Sequence, residues 1–156
     1  MSEKYIDVIG KQGEEGLALA KTKPGQALKT VLKDLPVREK NAAKHLGDQP
    51  DKKDEAKYKQ YKKDCNAAFQ ECKKAAVQAV LQVILAISQN QMEKAVDELD
   101  DDERDTLMKF VYRGFSEEEV DGSKIDYSVL LKCHDAIYKK CGTGPIIRSI
   151  HTRLEV

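Results

Sequence analysis

The sequence predicts an all-α protein: a small helical bundle or solenoid-like stack around one central buried helix, with a short flexible N-terminal arm. Three observations carry this. Aromatic residues make up only 6% of the 156 residues, Trp is absent, and Pro and Gly are scarce after Pro50; such a composition suits long helices better than a sheet. Phe69, Cys72, Ala76, Val80, Val83 and Ile87 recur at three- and four-residue steps, which stacks them on one helical face. Between Ala75 and Ile87 the apolar residues then spread nearly all round, as expected of a helix enclosed by others.

Residues 1–13 contain Gly10 and Gly13 without usable periodicity and read as the mobile arm, leaving 14–156 as a single helical domain. A short helix is expected over Glu14–Lys21. Pro24 suits the first turn of a second one, whose face is Leu28, Val31, Leu32 and Leu35 and which Pro36 ends. Gly47–Pro50 is a break within a Lys-rich polar insertion, 44–66. Inside it Glu55 and Lys59 stand at helical pairing distance, so a solvated helix start fits there.

After Ser88–Asn90 a short helix carries Met92, Ala95, Val96 and Leu99. The acids Asp100–Glu103 mark a new start, because negative charge complements the positive end of a helix. That helix holds Leu107, Met108, Phe110, Val111 and Tyr112, with Gly114 expected to close it in the left-handed conformation. Phe115 then packs back beneath it, and Ser116–Lys124 reads as an acidic loop. Tyr127, Leu130, Leu131, His134, Ile137, Tyr138 and Cys141 mark the next helix, stopped by Gly142. Thr143 and Pro145 open a last one with the apolar face Ile146, Ile147 and Ile150.

Charge excludes little by its sum, which is zero, and more by its arrangement. Val37–Asp64 holds nine Lys or Arg against six acids, Asp97–Asp121 eleven acids against three bases, and Gly122–Val156 six bases against three acids. Segregated charge orients docking to a partner. Membrane insertion is not expected: Ala75–Ile87, the longest apolar stretch, is interrupted by Gln78 and Gln82 and falls short of the roughly 20 residues a span requires. Met1–Ile9 lacks the apolar run of a secretory leader, so the four cysteines are expected as free thiols in the cytoplasm.

No metal or other cofactor is expected. Cys133, His134, Cys141 and His151 lack the paired spacing of a zinc site. Adjacent Cys133 and His134 project about 100° apart on a helix, so they do not form a nucleophilic pair, and no phosphate loop or oxyanion loop accompanies them. The run Lys52–Lys63 interleaves Tyr58 and Tyr61 but also Asp54 and Glu55, acids that a nucleic-acid face avoids. Catalysis, nucleic-acid binding and membrane insertion are therefore all disfavoured.

The second half carries a more specific pattern. Met92-Glu93-Lys94-Ala95-Val96 is followed by Leu107-Met108-Lys109-Phe110-Val111-Tyr112-Arg113-Gly114-Phe115, then Leu130-Leu131, His134, Gly142, Gly144, Ile147-Arg148 and Thr152–Val156. This run resembles the subunit 5 family of the actin-related protein 2/3 complex, the assembly that nucleates branched actin filaments. The likeness is close from Val80 onward, with a weaker echo over Gln26–Pro36. It implies a non-catalytic, cofactor-free helical subunit that docks on subunit 4, lies near the propeller subunit 1, and tethers actin-related protein 2 through an N-terminal arm. It also implies a cytoplasmic place in the actin cytoskeleton and cell projections.

Tyr5, Ile6 and Val8 stand where that arm would be, and the arm here is shorter and less acidic than the family's. Within the matched run, the aromatic and Arg groups near acidic rims are the expected partner interface: Tyr112, Arg113, Phe115, His134 and Arg148. The alternative is a free helical adaptor or regulatory protein that binds a protein partner outside any fixed assembly.

Overall fold

The computed structural model describes residues 2–33, 35 and 55–151, with side chains from residue 6 onward except that of Ala56. The described residues form seven α-helices and one two-stranded hairpin. These are α1 (Ser2–Ala20), α2 (Pro24–Leu32), α3 (Glu55–Ala86), α4 (Gln89–Asp97), α5 (Asp101–Gly114), β1 (Glu119–Val120), β2 (Ser123–Lys124), α6 (Tyr127–Cys141) and α7 (Gly144–His151). The helical bundle around a central helix is as the sequence predicts.

That central helix is α3, 32 residues long. Its second half buries Ala76, Val77, Ala79, Val80, Leu81, Val83 and Ile84, residues that spread over about 200° of the helix circumference and so require neighbours on more than one side, while Gln78, Gln82 and Leu85 on the remaining side are half-buried. Leu28 and Val31 of α2, Met92 of α4, Leu107 and Met108 of α5, and Leu130 and Ile137 of α6 complete the core. The first half, 55–68, is mostly exposed and continues the same helix as a solvated start. Residues 44–54 of the Lys-rich insertion, and the break at Gly47–Pro50, lie outside the described residues.

The stretch expected as the N-terminal arm is helical in the structure over its described residues. Residues 2–13 belong to α1, which runs unbroken to Ala20 and buries Ile9, Gly13, Gly16 and Ala20. The glycines are contact points, not breaks. A Cβ on Gly16 would stand 2.8 Å from Val83 Cγ2 and 3.4 Å from the Ala27 carbonyl, and one on Gly13 would stand 3.1 Å from Ala79 Cβ. Gly13 meeting Ala79 and Gly16 meeting Val83 set α1 alongside α3 in the same direction.

Helix α5 begins with a reciprocal cap. Asp100 Oδ1 accepts from the Glu103 amide at 2.7 Å, and Glu103 Oε2 accepts from the Asp100 amide at 2.9 Å, satisfying two otherwise orphaned donors. Arg104, 8% exposed, donates to the carbonyls of Val96 and Asp97 at 3.1 Å each and to Asp101 at 2.8 Å. One guanidinium thereby closes the end of α4 and fixes the start of α5.

Three local expectations fail for physical reasons. Gly114 stays within α5, and Phe115, its C-cap, is right-handed (φ −67°); the glycine is needed because a Cβ would stand 2.7 Å from Leu81 Cδ2. The acidic loop holds a hairpin pairing Glu119 with Lys124 and Val120 with Ser123. Asp121 and Gly122 at its tip have φ of 50° and 71°, the conformation an Asp-Gly hairpin turn favours. Finally, α7 buries Pro145 and Ser149, while Ile147 and Ile150 are 52% and 57% exposed.

Candidate docking face

The candidate interface residues fall into separate places. Tyr112, Phe115 and His134 come together where α5 meets α6. Tyr112 meets Phe115 edge-on, with ring centroids 6.1 Å apart, and His134 at 5.7 Å. The Tyr112 hydroxyl lies 3.3 Å from His134 Nε2. All three rings are half-buried, so each presents part of its surface outward.

Arg113 projects elsewhere, pairing with Glu117 Oε1 at 3.1 Å beside the outer face of α3. Arg148 forms a two-pronged pair with Asp105, Nη2 donating to Oδ1 at 2.7 Å and Nε to Oδ2. That pair clasps α7 to α5, which gives Arg148 a holding role inside the chain. Ile6 is half-buried against the core, and Val8, 45% exposed, points outward from α1. Tyr5 sits in α1, but its side chain lies outside the described residues.

The sequence reading missed the apolar groups that surround the ring cluster. On α6, Tyr127, Leu131 and Tyr138 are 42%, 59% and 46% exposed. With His134 they follow four-, three- and four-residue steps, a continuous line along one helical face. The opposite face is committed to the core through Val129, Leu130, Cys133, Ala136 and Ile137. The Tyr127 hydroxyl donates to the Glu117 carbonyl at 2.7 Å, which ties the line back to the chain following Phe115. The result is one aromatic and aliphatic surface spanning α5 and α6.

A signal for it was present in the doublets Leu130-Leu131 and Ile137-Tyr138. Neighbours on a helix point about 100° apart, so one narrow core-facing stripe cannot absorb both members. Charges hold α6 in place beside this surface: Lys139 bridges Glu93 and Asp135 at 2.9 Å each, and Lys140 reaches Asp97 at 2.9 Å. Hydrogen bonding to Lys139 lowers the Asp135 pKa, and the Asp126 carboxylate, which caps α6 by accepting from the Ser128 hydroxyl and amide, is lowered too.

Chemistry is disfavoured where the sequence raised it. Burial pushes the Cys133 thiol up to about 12, so it stays protonated and a poor nucleophile near neutrality. Cys72 is raised for the same reason, with Glu71 adding to the effect. Among the described residues, no group of three or more His, Cys, Asp or Glu could hold a metal ion, and no helix is long and apolar enough to cross a membrane.

Comparison with known proteins gives the face its context. The chain is 37% identical to actin-related protein 2/3 complex subunit 5-C of Xenopus laevis over 91 residues, 58% of each chain. It is 29% identical to subunit 5 of Dictyostelium discoideum over 155 residues, 99% of this chain and 88% of that one. It is 34% identical to the human subunit 5-like protein over 91 residues, 58% of this chain and 57% of the relative. The chain thus spans less than two thirds of the vertebrate relatives and most of the Dictyostelium one. Residues 53–156, which include α3 to α7, match the family described as ARP2/3 complex 16 kDa subunit, and the chain belongs to that P16-Arc family.

Proposed function

We propose that this protein is a non-catalytic structural subunit of an ARP2/3-type complex, supporting nucleation of branched actin filaments by bridging other subunits. Family membership supplies the assembly. The observation that carries the role is the line Tyr127, Leu131, His134 and Tyr138 with Tyr112 and Phe115 beside it. Apolar groups exposed in this density are what an interface core looks like before its partner arrives. Subunit 4 is the proposed neighbour of this face, with the propeller subunit 1 nearby and actin-related protein 2 reached from the N-terminal end. The proposed setting is the cytoplasmic actin cytoskeleton, including cell projections.

The test is co-purification of the tagged full chain with the other subunits. Leu131→Asp with Tyr138→Asp places two carboxylates on the exposed line while leaving the buried face of α6 intact. The double variant is expected to fold with unchanged helicity and to lose most co-purifying subunits. Retention of the whole complex at wild-type stoichiometry would remove this face from the interface.

A further inference from the structure

The Lys-rich start of α3 has no part in the docking face, and its charges are ordered. Lys59, Lys63, Asn66, Gln70 and Lys74 follow steps of four, three, four and four residues, so they share one face of α3. All five are exposed, and the line from Lys59 to Lys74 is about 22 Å long at the helical rise. It runs into a groove of about 380 Å³ between α3 and the end of α5, lined by Gln70, Lys73, Lys74, Val77, Gln78, Arg113 and Glu117.

The groove therefore receives cations from both walls, Lys73 and Lys74 from α3 and Arg113 from α5. Lys73 is steadied over the Phe69 ring at 4.5 Å from its centroid. Among the described residues, the acids beside the line and the groove are Glu117, which pairs with Arg113, Glu55, which stands 3.9 Å from Lys59 at the far end, and Asp121, whose amide donates to Gln78 Oε1 at 3.2 Å. Asp64 and Glu71 fall off the line, further round the helix.

We infer that this face of α3 and its groove form a second docking site, separate from the aromatic face, for an extended acidic segment of a partner protein. Charge complementarity sets the sign of the ligand. The length fits roughly seven extended residues, and the exposed amide of Gln70 suits a peptide backbone. The site is concave, and none of the exposed large apolar residues lies on α3, so a membrane surface would find nothing to insert there. Tyr58 and Tyr61 lie round the helix from the line, where they cannot stack bases lying along it.

The experiment is a fluorescence anisotropy titration of the full chain with a labelled oligoglutamate about ten residues long, beside single-stranded DNA and phosphatidylserine vesicles. The peptide is expected to bind at low salt and to weaken as salt rises. Lys63→Glu with Lys74→Glu is expected to weaken binding about tenfold, as the sum of two reversed surface contacts. Lys132→Glu on α6 should change nothing, and neither should Leu131→Asp with Tyr138→Asp, which separates this site from the aromatic face. Lys63→Gln with Lys74→Gln gives a smaller loss without adding acids, and circular dichroism checks that each variant folds. Absence of peptide binding, equal loss with Lys132→Glu, or tighter Lys63- and Lys74-dependent binding of DNA or vesicles would each overturn the proposal.

Discussion

Helices α1 and α5 lie against the same central helix, yet they are held by different means. Helix α5 carries its own boundaries: Asp100 and Glu103 cap its start, three acids occupy its first turn and Arg113 its last, all favourable to an isolated helix. Helix α1 carries Gly10, Gly13 and Gly16, each unfavourable by about 1 kcal/mol in a helix interior. What offsets them is contact, since Gly13 and Gly16 bring its backbone against Ala79 and Val83. The same residue type weakens a helix taken alone and permits its packing against another. Local propensity and tertiary fit therefore have to be judged separately.

Replacing the shared wall should show the largest effect. Leu81 is fully buried and touches the Cβ position of Gly114. Leu81→Ala is expected to cost about 2–5 kcal/mol in urea unfolding, by transfer and cavity terms together. Gly114→Ala alone is expected to cost about 1–3 kcal/mol from overpacking. In the Leu81→Ala background that cost should shrink by about 1 kcal/mol or more, because the new methyl enters the space left by Leu81. Strict additivity would show that Gly114 answers to something other than Leu81.

On the α1 side, Gly16→Val should destabilise by about 1–3 kcal/mol, since even a bare Cβ meets Val83 and the Ala27 carbonyl too closely. Amide hydrogen exchange should show the loss of protection concentrated in α1 and α2. A uniform loss across all helices would mean that α1 does not open separately.

The caps come next in size. Asp100→Ala removes the side-chain acceptor for the Glu103 amide and is expected to cost about 1 kcal/mol, whereas Asp100→Asn should retain most of it. Equal losses in the two variants would assign the effect to charge instead of the hydrogen bond. The smallest expected effect has the opposite sign. Gly10 is exposed and a Cβ there meets nothing within 4 Å, so Gly10→Ala should stabilise by about 0.5–1 kcal/mol. A destabilising result would place an unseen neighbour against that face.

Much of the architecture was legible because local chemistry and tertiary need agree there. The all-round apolar stretch of α3, the acids opening α5, and Gly142 closing α6 with φ 65° each state their role in sequence. The candidate site was legible only in part. Of the expected interface residues, Tyr112, Phe115 and His134 come together, Arg148 pairs with Asp105, and Arg113 lines the groove beside α3. Leu131, Tyr138, Ile147 and Ile150 belong to the apolar patterns that mark their helices and yet are exposed, because periodicity reports that a side chain is apolar and not which side its helix buries.

By itself, then, the sequence determined the helical class, the central helix, the capped start of α5 and the family. Each follows from periodicity, from charge at helix ends, or from a run of adjacent residue types. The tertiary structure alone decided that α1 is a docked helix, that Gly114 is a point of close approach, and that the two apolar faces of α6 have different fates. These depend on what stands within a few ångströms across space, and spacing along the chain carries no record of that distance.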